Sequence, residues 1–155
     1  MPADKRLAAA EAFWRDDQGD IAMQHMDAMA SIARRLNFRA KSVQALSIDR
    51  KAKHLSQLGD VSDAVATRAL IAYHFTTKRE LMAAFLDALG IQHEDGLISE
   101  ETVPAPPREK LVAAVATLRS SFPAEDVDLY LRTLSTLDGD TWGEVESAMS
   151  ETAQP

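Results

Sequence analysis

Residues 62–90 read SDAVATRALIAYHFTTKRELMAAFLDALG, where two apolar segments meet through a short polar break. In the first segment Val65, Ala66, Ala69, Leu70, Ile71, Ala72, Tyr73 and Phe75 leave only Arg68 and His74 strongly polar, the pattern of a helix covered on most sides. The second opens at Thr77, with Glu80 three residues on, the spacing of a reciprocal capping box. Leu81, Phe85 and Ala88, with Met82, Leu86 and Leu89 beside them, then form a broad apolar face, and Gly90 supplies the left-handed residue that ends a helix. This predicts a central helical hairpin over 62–90 with the remaining chain packed around it.

Working outward, every other segment also has helical spacing. Residues 3–17 place Leu7, Ala10, Phe13 and Trp14 on one side, with Asp16, Asp17 and Gly19 ending the helix. Residues 20–36 carry Met26, Met29, Ala33 and Leu36 at seam spacing, and Asn37 is the stop. Met23, Met26 and Met29 lie close together, as in promiscuous peptide-binding surfaces, but ordinary core is the expected reading. Residues 40–58 read as one helix with Ala45, Ile48, Ala52 and Leu55 inward. Beyond Gly90, a loop over 91–107 ends in a proline cluster. Pro106 and Pro107 then open a helix over 108–120 with Leu111, Val115 and Leu118 inward, and Pro123 opens another to about 137. Thr141 and Glu144 form a second capping-box candidate before a short last helix, and residues 151–155 are expected to fray. The fold class is all-α: one compact domain, 1–150, of about seven helices and no strand.

Of the 155 residues 46% are hydrophobic, enough for a continuous core, and the absence of cysteine excludes disulfides and thiolate chemistry. The net charge of −7 and pI near 5.0 oppose gross attraction to nucleic acid or anionic membranes. That average conceals a split. Residues 1–82 hold 13 Lys+Arg against 10 Asp+Glu, whereas 83–155 hold 4 against 14. No signal-peptide pattern or membrane-length apolar run is present, so a cytoplasmic protein with no membrane partner is expected.

The cations concentrate in Arg34, Arg35, Arg39, Lys41, Arg50, Lys51, Lys53 and the neighbouring His54, opposed by Asp49 alone. Such a run can track phosphates, and a helix–turn–helix can be drawn over 45–75. Its second helix, however, would be too apolar for a DNA groove. A solvated basic face, or one matched to the acidic part of the chain, is the simpler reading.

The loop HEDGLISEE offers His93, Glu94 and Asp95 as binding candidates. Asp95, Gly96 and Ile98 match the middle of an EF-hand loop. Ile91, His93 and Thr102 occupy its first, third and twelfth ligand positions, so calcium is not expected there. Residues 138–149 fail similarly, with Trp142 and Met149 at ligand positions. His25, His54, His74 and His93 form no zinc or di-iron spacing, and no nucleophile elbow or phosphate-cradling glycine loop is present. His74 is the histidine whose titration would matter if partly buried, although a ring that caps its helix end or bonds a neighbour is the simpler expectation. Arg68, within an apolar helix, requires a carboxylate, for which Asp87 or Glu80 would be nearest across the hairpin.

The resulting expectation is a non-enzymatic helical interaction module, without cofactor or metal, that holds a protein partner or self-associates through basic 34–54 and acidic 94–146 surfaces. A regulatory nucleic-acid binder using 34–54 is the alternative. The third reading is a small helical enzyme or ligand binder with a pocket near His74 and His93.

Overall fold

The computed structural model describes residues 1–17, 21–98 and 103–153. Expectations resting on Gly19, Asp20, Glu100, Glu101 and Thr102 lie outside them. The chain is all-α, and it divides into two compact units, Met1–Thr76 and Thr77–Pro155. The boundary falls inside the stretch expected to be the central hairpin, so its two arms belong to different units.

The first unit comprises α1 (Ala3–Arg15), α2 (Ile21–Leu36), α3 (Ala40–Gln44), α4 (Ile48–Gln57) and α5 (Asp63–Thr77). α1 packs along α4. Ala9, Ala10 and Ala12 permit that close approach, while Phe13 and Trp14 fill the space beyond; Leu7, expected on this face, is exposed. Phe13, Trp14, Ile21, Ala28, Ile32, Val43, Ala52, Leu55 and Val65 form a continuous core.

Of the seam expected in α2, Ala33 is buried and Met29 and Leu36 pack half-buried against the core, but Met26 is exposed and the centre of the buried stripe lies elsewhere. The buried residues of α2 are Ile21, Ala28, Ser31, Ile32 and Ala33, whereas Met26 is 67% exposed and Met23 is 73% exposed. At about 100° per residue the helix has turned its core stripe roughly a quarter of a turn from the Met26–Met29–Ala33–Leu36 seam. His25 docks beside that stripe. Its Nε2–H donates to the Phe13 carbonyl at 2.7 Å, and its ring packs on Phe13 and Trp14 with centroids 4.8 and 5.1 Å away.

Asn37 ends α2 with φ 55°, and the Phe38 amide donates back to Ala33 O, the expected left-handed stop. The helix expected over 40–58 is two. Ser47 breaks it, its hydroxyl accepting the Arg50 N–H as the N-cap of α4, and Asp49 occupies the favourable first turn. In α5 only Val65, Ala72, Tyr73 and His74 are buried, so it is not covered on most sides as expected. Arg68 has a carboxylate partner within its own unit, at the end of α1, where Asp16 Oδ2 lies 3.2 Å from its Nε; Glu80 and Asp87 belong to the other unit.

The second unit comprises α6 (Arg79–Leu89), a hairpin of β1 (His93–Glu94) and β2 (Leu97–Ile98), α7 (Arg108–Ser121), α8 (Ala124–Leu137), α9 (Gly139–Trp142) and α10 (Val145–Ala153). α7 packs on α6 and α10, and α8 packs on α10. Leu81, Phe85 and Leu86 from α6 and Leu111, Val115 and Leu118 from α7 are buried, as are Val127, Tyr130 and Leu131 from α8 and Trp142 from α9. Phe85 meets Tyr130 edge-on and Trp142 at a tilt, each with centroids 5.7 Å apart. Arg119 on α7 ties three helices. It donates to Met149 O at 3.1 Å and Thr152 Oγ1 at 2.6 Å near the end of α10, and to Asp128 Oδ1 of α8 at 2.9 Å.

Pro107 and Pro123 precede α7 and α8 as expected, and Gly90 at φ 71° ends α6 with Ile91 N–H donating to Leu86 O. Neither expected capping box forms the cap. α6 is preceded by Lys78 at φ −127° and ψ 29°, with no side-chain cap, and α9 is capped by Asp138 through Thr141. α10 runs to Ala153. The small antiparallel hairpin is the further departure from an entirely helical reading. Asp95 at φ 53° and Gly96 at φ 89° link Glu94 to Leu97 in the tight turn that an Asp-Gly pair favours.

Candidate functional site

The basic run divides into cations used internally and cations left outward. Arg35 Nη1 donates to Gln57 O at 2.6 Å, binding the end of α2 to the end of α4, where carbonyls lack helical partners. Arg34 donates to Ser31 Oγ within its own helix. Lys51 lies 5.0 Å from the Trp14 ring centroid, a cation–π contact on the α1 side of α4.

Arg39, Lys41, Arg50 and Lys53 are exposed, and among the described residues their charged groups make no ion pair or hydrogen bond. On α4 the buried residues are Ala52 and Leu55. At about 100° per residue, Arg50, Lys53 and the half-buried His54 radiate from the side opposite that row. α4 therefore presents one apolar stripe inward and one cationic stripe outward. Phe38, between Arg35 and Arg39 in sequence, is 50% exposed, and Ile48 at the start of α4 is 36% exposed.

The loop candidates are not brought together as a ligand site. The side chain of His93 is only 12% exposed, and its two ring nitrogens join the hairpin to α6. Nδ1 accepts the Gly96 N–H at 3.1 Å, which leaves the proton on Nε2, and Nε2–H donates to Asp87 Oδ1 at 2.7 Å. Asp95 lies 3.9 Å from Arg79 across an exposed pair, and Glu94 is exposed in β1. His74 is buried, donates from Nδ1 to Leu70 O at 2.7 Å and meets the edge of Tyr73. Among the described residues no three His, Asp or Glu side chains converge as a metal site would require.

Two groups have displaced proton affinities. Burial pushes the Tyr130 phenol well above its ordinary value. The Thr141 hydroxyl, then the Thr141 backbone N–H, hold the Asp138 carboxyl below the usual carboxylate range, although Asp138 is at the surface.

A feature that sequence reading missed is an apolar groove in the first unit between α1, the end of α4 and α5, with a volume of about 210 Å³. Its signal was the α5 sequence itself, which carries more apolar residues than the core takes.

Comparison with known proteins finds no matching family model, no matching curated protein and no matching solved structure. The class is thus defined by the coordinates alone: an all-α protein of two compact helical units with unequal charge. Read from the sequence, residues 1–76 hold 11 Lys+Arg against 9 Asp+Glu, and residues 77–155 hold 6 against 15. Among the described residues no helix is long and apolar enough to cross a membrane.

Proposed function

We propose that the chain is a non-enzymatic, cytoplasmic interaction module whose first unit offers a cationic, partly apolar surface to an acidic protein surface. A second copy of the chain is the partner its own charge supports best. The observation that carries this reading is the outward stripe of α4, where Arg50 and Lys53 have no partner among the described residues, in a chain whose second unit has a net charge of −9. Exposed Glu94, Glu109, Glu144 and Glu146 supply complementary charge there. Rim charges of this kind steer encounter and fix register more than they add raw affinity, so association should weaken steeply as salt rises.

The test is light scattering across protein concentration at roughly 50 and 500 mM salt. A low-salt oligomer that dissociates at high salt, and that Arg50→Glu with Lys53→Glu abolishes at low salt, is the expected result. A monomer under all conditions defeats self-association.

One observation favours a second reading. Phe38 is half-exposed in the same run as the unpaired Arg39 and Lys41, and aromatic faces beside cations stack unpaired bases. Retention of a single-stranded oligonucleotide, lost on Phe38→Ala and on Arg39→Glu, would support it. Equal retention by the variants would remove it.

A further inference from the structure

We propose that the groove of the first unit is a binding site for a medium-chain aliphatic carboxylate, independent of the charged surface above. Ala9 and Ala10 of α1, Leu55 of α4 and Val65, Ala69 and Leu70 of α5 supply its walls. Of all the residues that line it only Arg6 and Ser56 are polar, the composition of a site that takes an apolar body and orients it by one polar end. Arg6 stands one helical turn before Ala9 and Ala10, on the same face of α1. It is exposed, and among the described residues its guanidinium has no ion pair or hydrogen bond.

The groove and the cation therefore come as a pair. A volume of about 210 Å³ somewhat exceeds the roughly 150 Å³ apolar cavity that holds one benzene ring, which suits a chain of about six to eight carbons. Arg6 selects the headgroup, because a guanidinium fork matches a carboxylate geometrically and electrostatically and offers little to a hydroxyl or a quaternary ammonium. The same arrangement explains α5. Ala66, Ala69 and Leu70 are apolar yet only half-buried, and all three line the groove.

The experiment is titration calorimetry of the full chain with octanoate, octanol and octyltrimethylammonium. Saturable octanoate binding, tighter than octanol and with the ammonium weakest, is expected. Arg6→Gln should weaken octanoate about five-fold and leave octanol unchanged, since only the charge-assisted contact is removed. Ala69→Trp, which fills the groove, should remove both ligands. Should that variant fail to fold, as judged by its near-ultraviolet circular dichroism, the exposed Arg6→Gln decides alone. Sedimentation with anionic phospholipid vesicles separates a free acid from a membrane-borne chain: the protein should stay in the supernatant. No saturable binding of octanoate, an Arg6→Gln variant that binds it as well as the parent, or pelleting with vesicles would each overturn the proposal.

Discussion

His93 and Asp87 are joined by a 2.7 Å hydrogen bond from Nε2–H to a carboxylate oxygen, and the other ring nitrogen of His93 accepts the amide of Gly96. The imidazole is therefore a strut between the end of α6 and the tip of the hairpin that follows it. His93→Ala should release both contacts, costing about 1–2 kcal/mol for two modest hydrogen bonds. The readout is hydrogen exchange at the Gly96 amide, which should accelerate strongly. Unchanged protection at that amide would show that the hairpin holds without the ring.

The two left-handed glycines of the second unit differ in what surrounds them. A Cβ added at Gly90 (φ +71°) meets nothing within 4 Å, while one added at Gly96 (φ +89°) lies 2.9 Å from Met82 Cβ and 3.3 Å from Arg79 O. Gly90→Ala should cost about 1 kcal/mol from backbone conformation alone. Gly96→Ala adds a clash against helix α6 and should cost about 2–4 kcal/mol. Denaturant melts of the two variants should rank in that order, and the reverse order would contradict the packing of the hairpin tip on α6.

The orientation of α2 yields a sharper contrast. Ile32 is fully buried, so Ile32→Ala should cost about 2–4 kcal/mol from lost transfer energy and the cavity left behind. Met23→Ser and Met26→Ser should each stay within about 0.5 kcal/mol of the parent, because both side chains already lie in water. If either methionine variant melted as early as Ile32→Ala, the helix would have to face the other way.

Stability should fall at both extremes of pH, through different residues. The Tyr130 phenol, raised by burial, keeps its proton in the fold to higher pH than in the unfolded chain, where it ionises near pH 10. Its stabilising contribution is complete below about pH 10 and declines above it, and Tyr130→Phe should flatten that alkaline limb. Asp138 behaves oppositely. Its carboxyl is lowered by Thr141, so the contribution is present above the unfolded carboxylate value near 4 and is lost as pH falls through the lower folded value. Asp138→Asn should shift the acid limb only slightly, as befits a fully exposed cap. Melting temperatures measured from pH 2 to 12 on the two variants check both limbs.

What could be read from the sequence was punctuation. Pro107, Pro123, Asn37 and Gly90 act through their own backbone chemistry, and each one stands where its helix begins or ends. Features set by distant partners were not legible. Arg68 was matched to carboxylates nearby in sequence, yet it pairs with Asp16 at the far end of α1. The seam spacing of α2 holds at Met29, Ala33 and Leu36 but not at Met26, a flexible side chain that tolerates either environment, and the docking of His25 on Phe13 has no signal in apolar spacing. Two local signals were present and misread. Asp95-Gly96 was weighed as part of a metal loop when it is a hairpin turn, and Ser47 with Asp49 marked a helix start inside a stretch read as continuous. The boundary at Thr76 falls at the polar break between the two apolar segments, but without proline or glycine that break reads as the turn of a hairpin and not as the edge of a unit. Within the candidate surface, the sequence supplied the cations; the coordinates sorted Arg35 and Lys51, which serve the fold, from Arg39, Lys41, Arg50 and Lys53, which do not.

The chain has two tryptophans, and each compact unit holds one of them, Trp14 beneath Lys51 and Trp142 beside Phe85. Both are buried, so each indole should shift its emission to longer wavelength when its own surroundings open. Trp14→Phe and Trp142→Phe therefore give two optical channels, one per unit. Whether the two halves melt as one cooperative body or in succession becomes a question of comparing two emission curves.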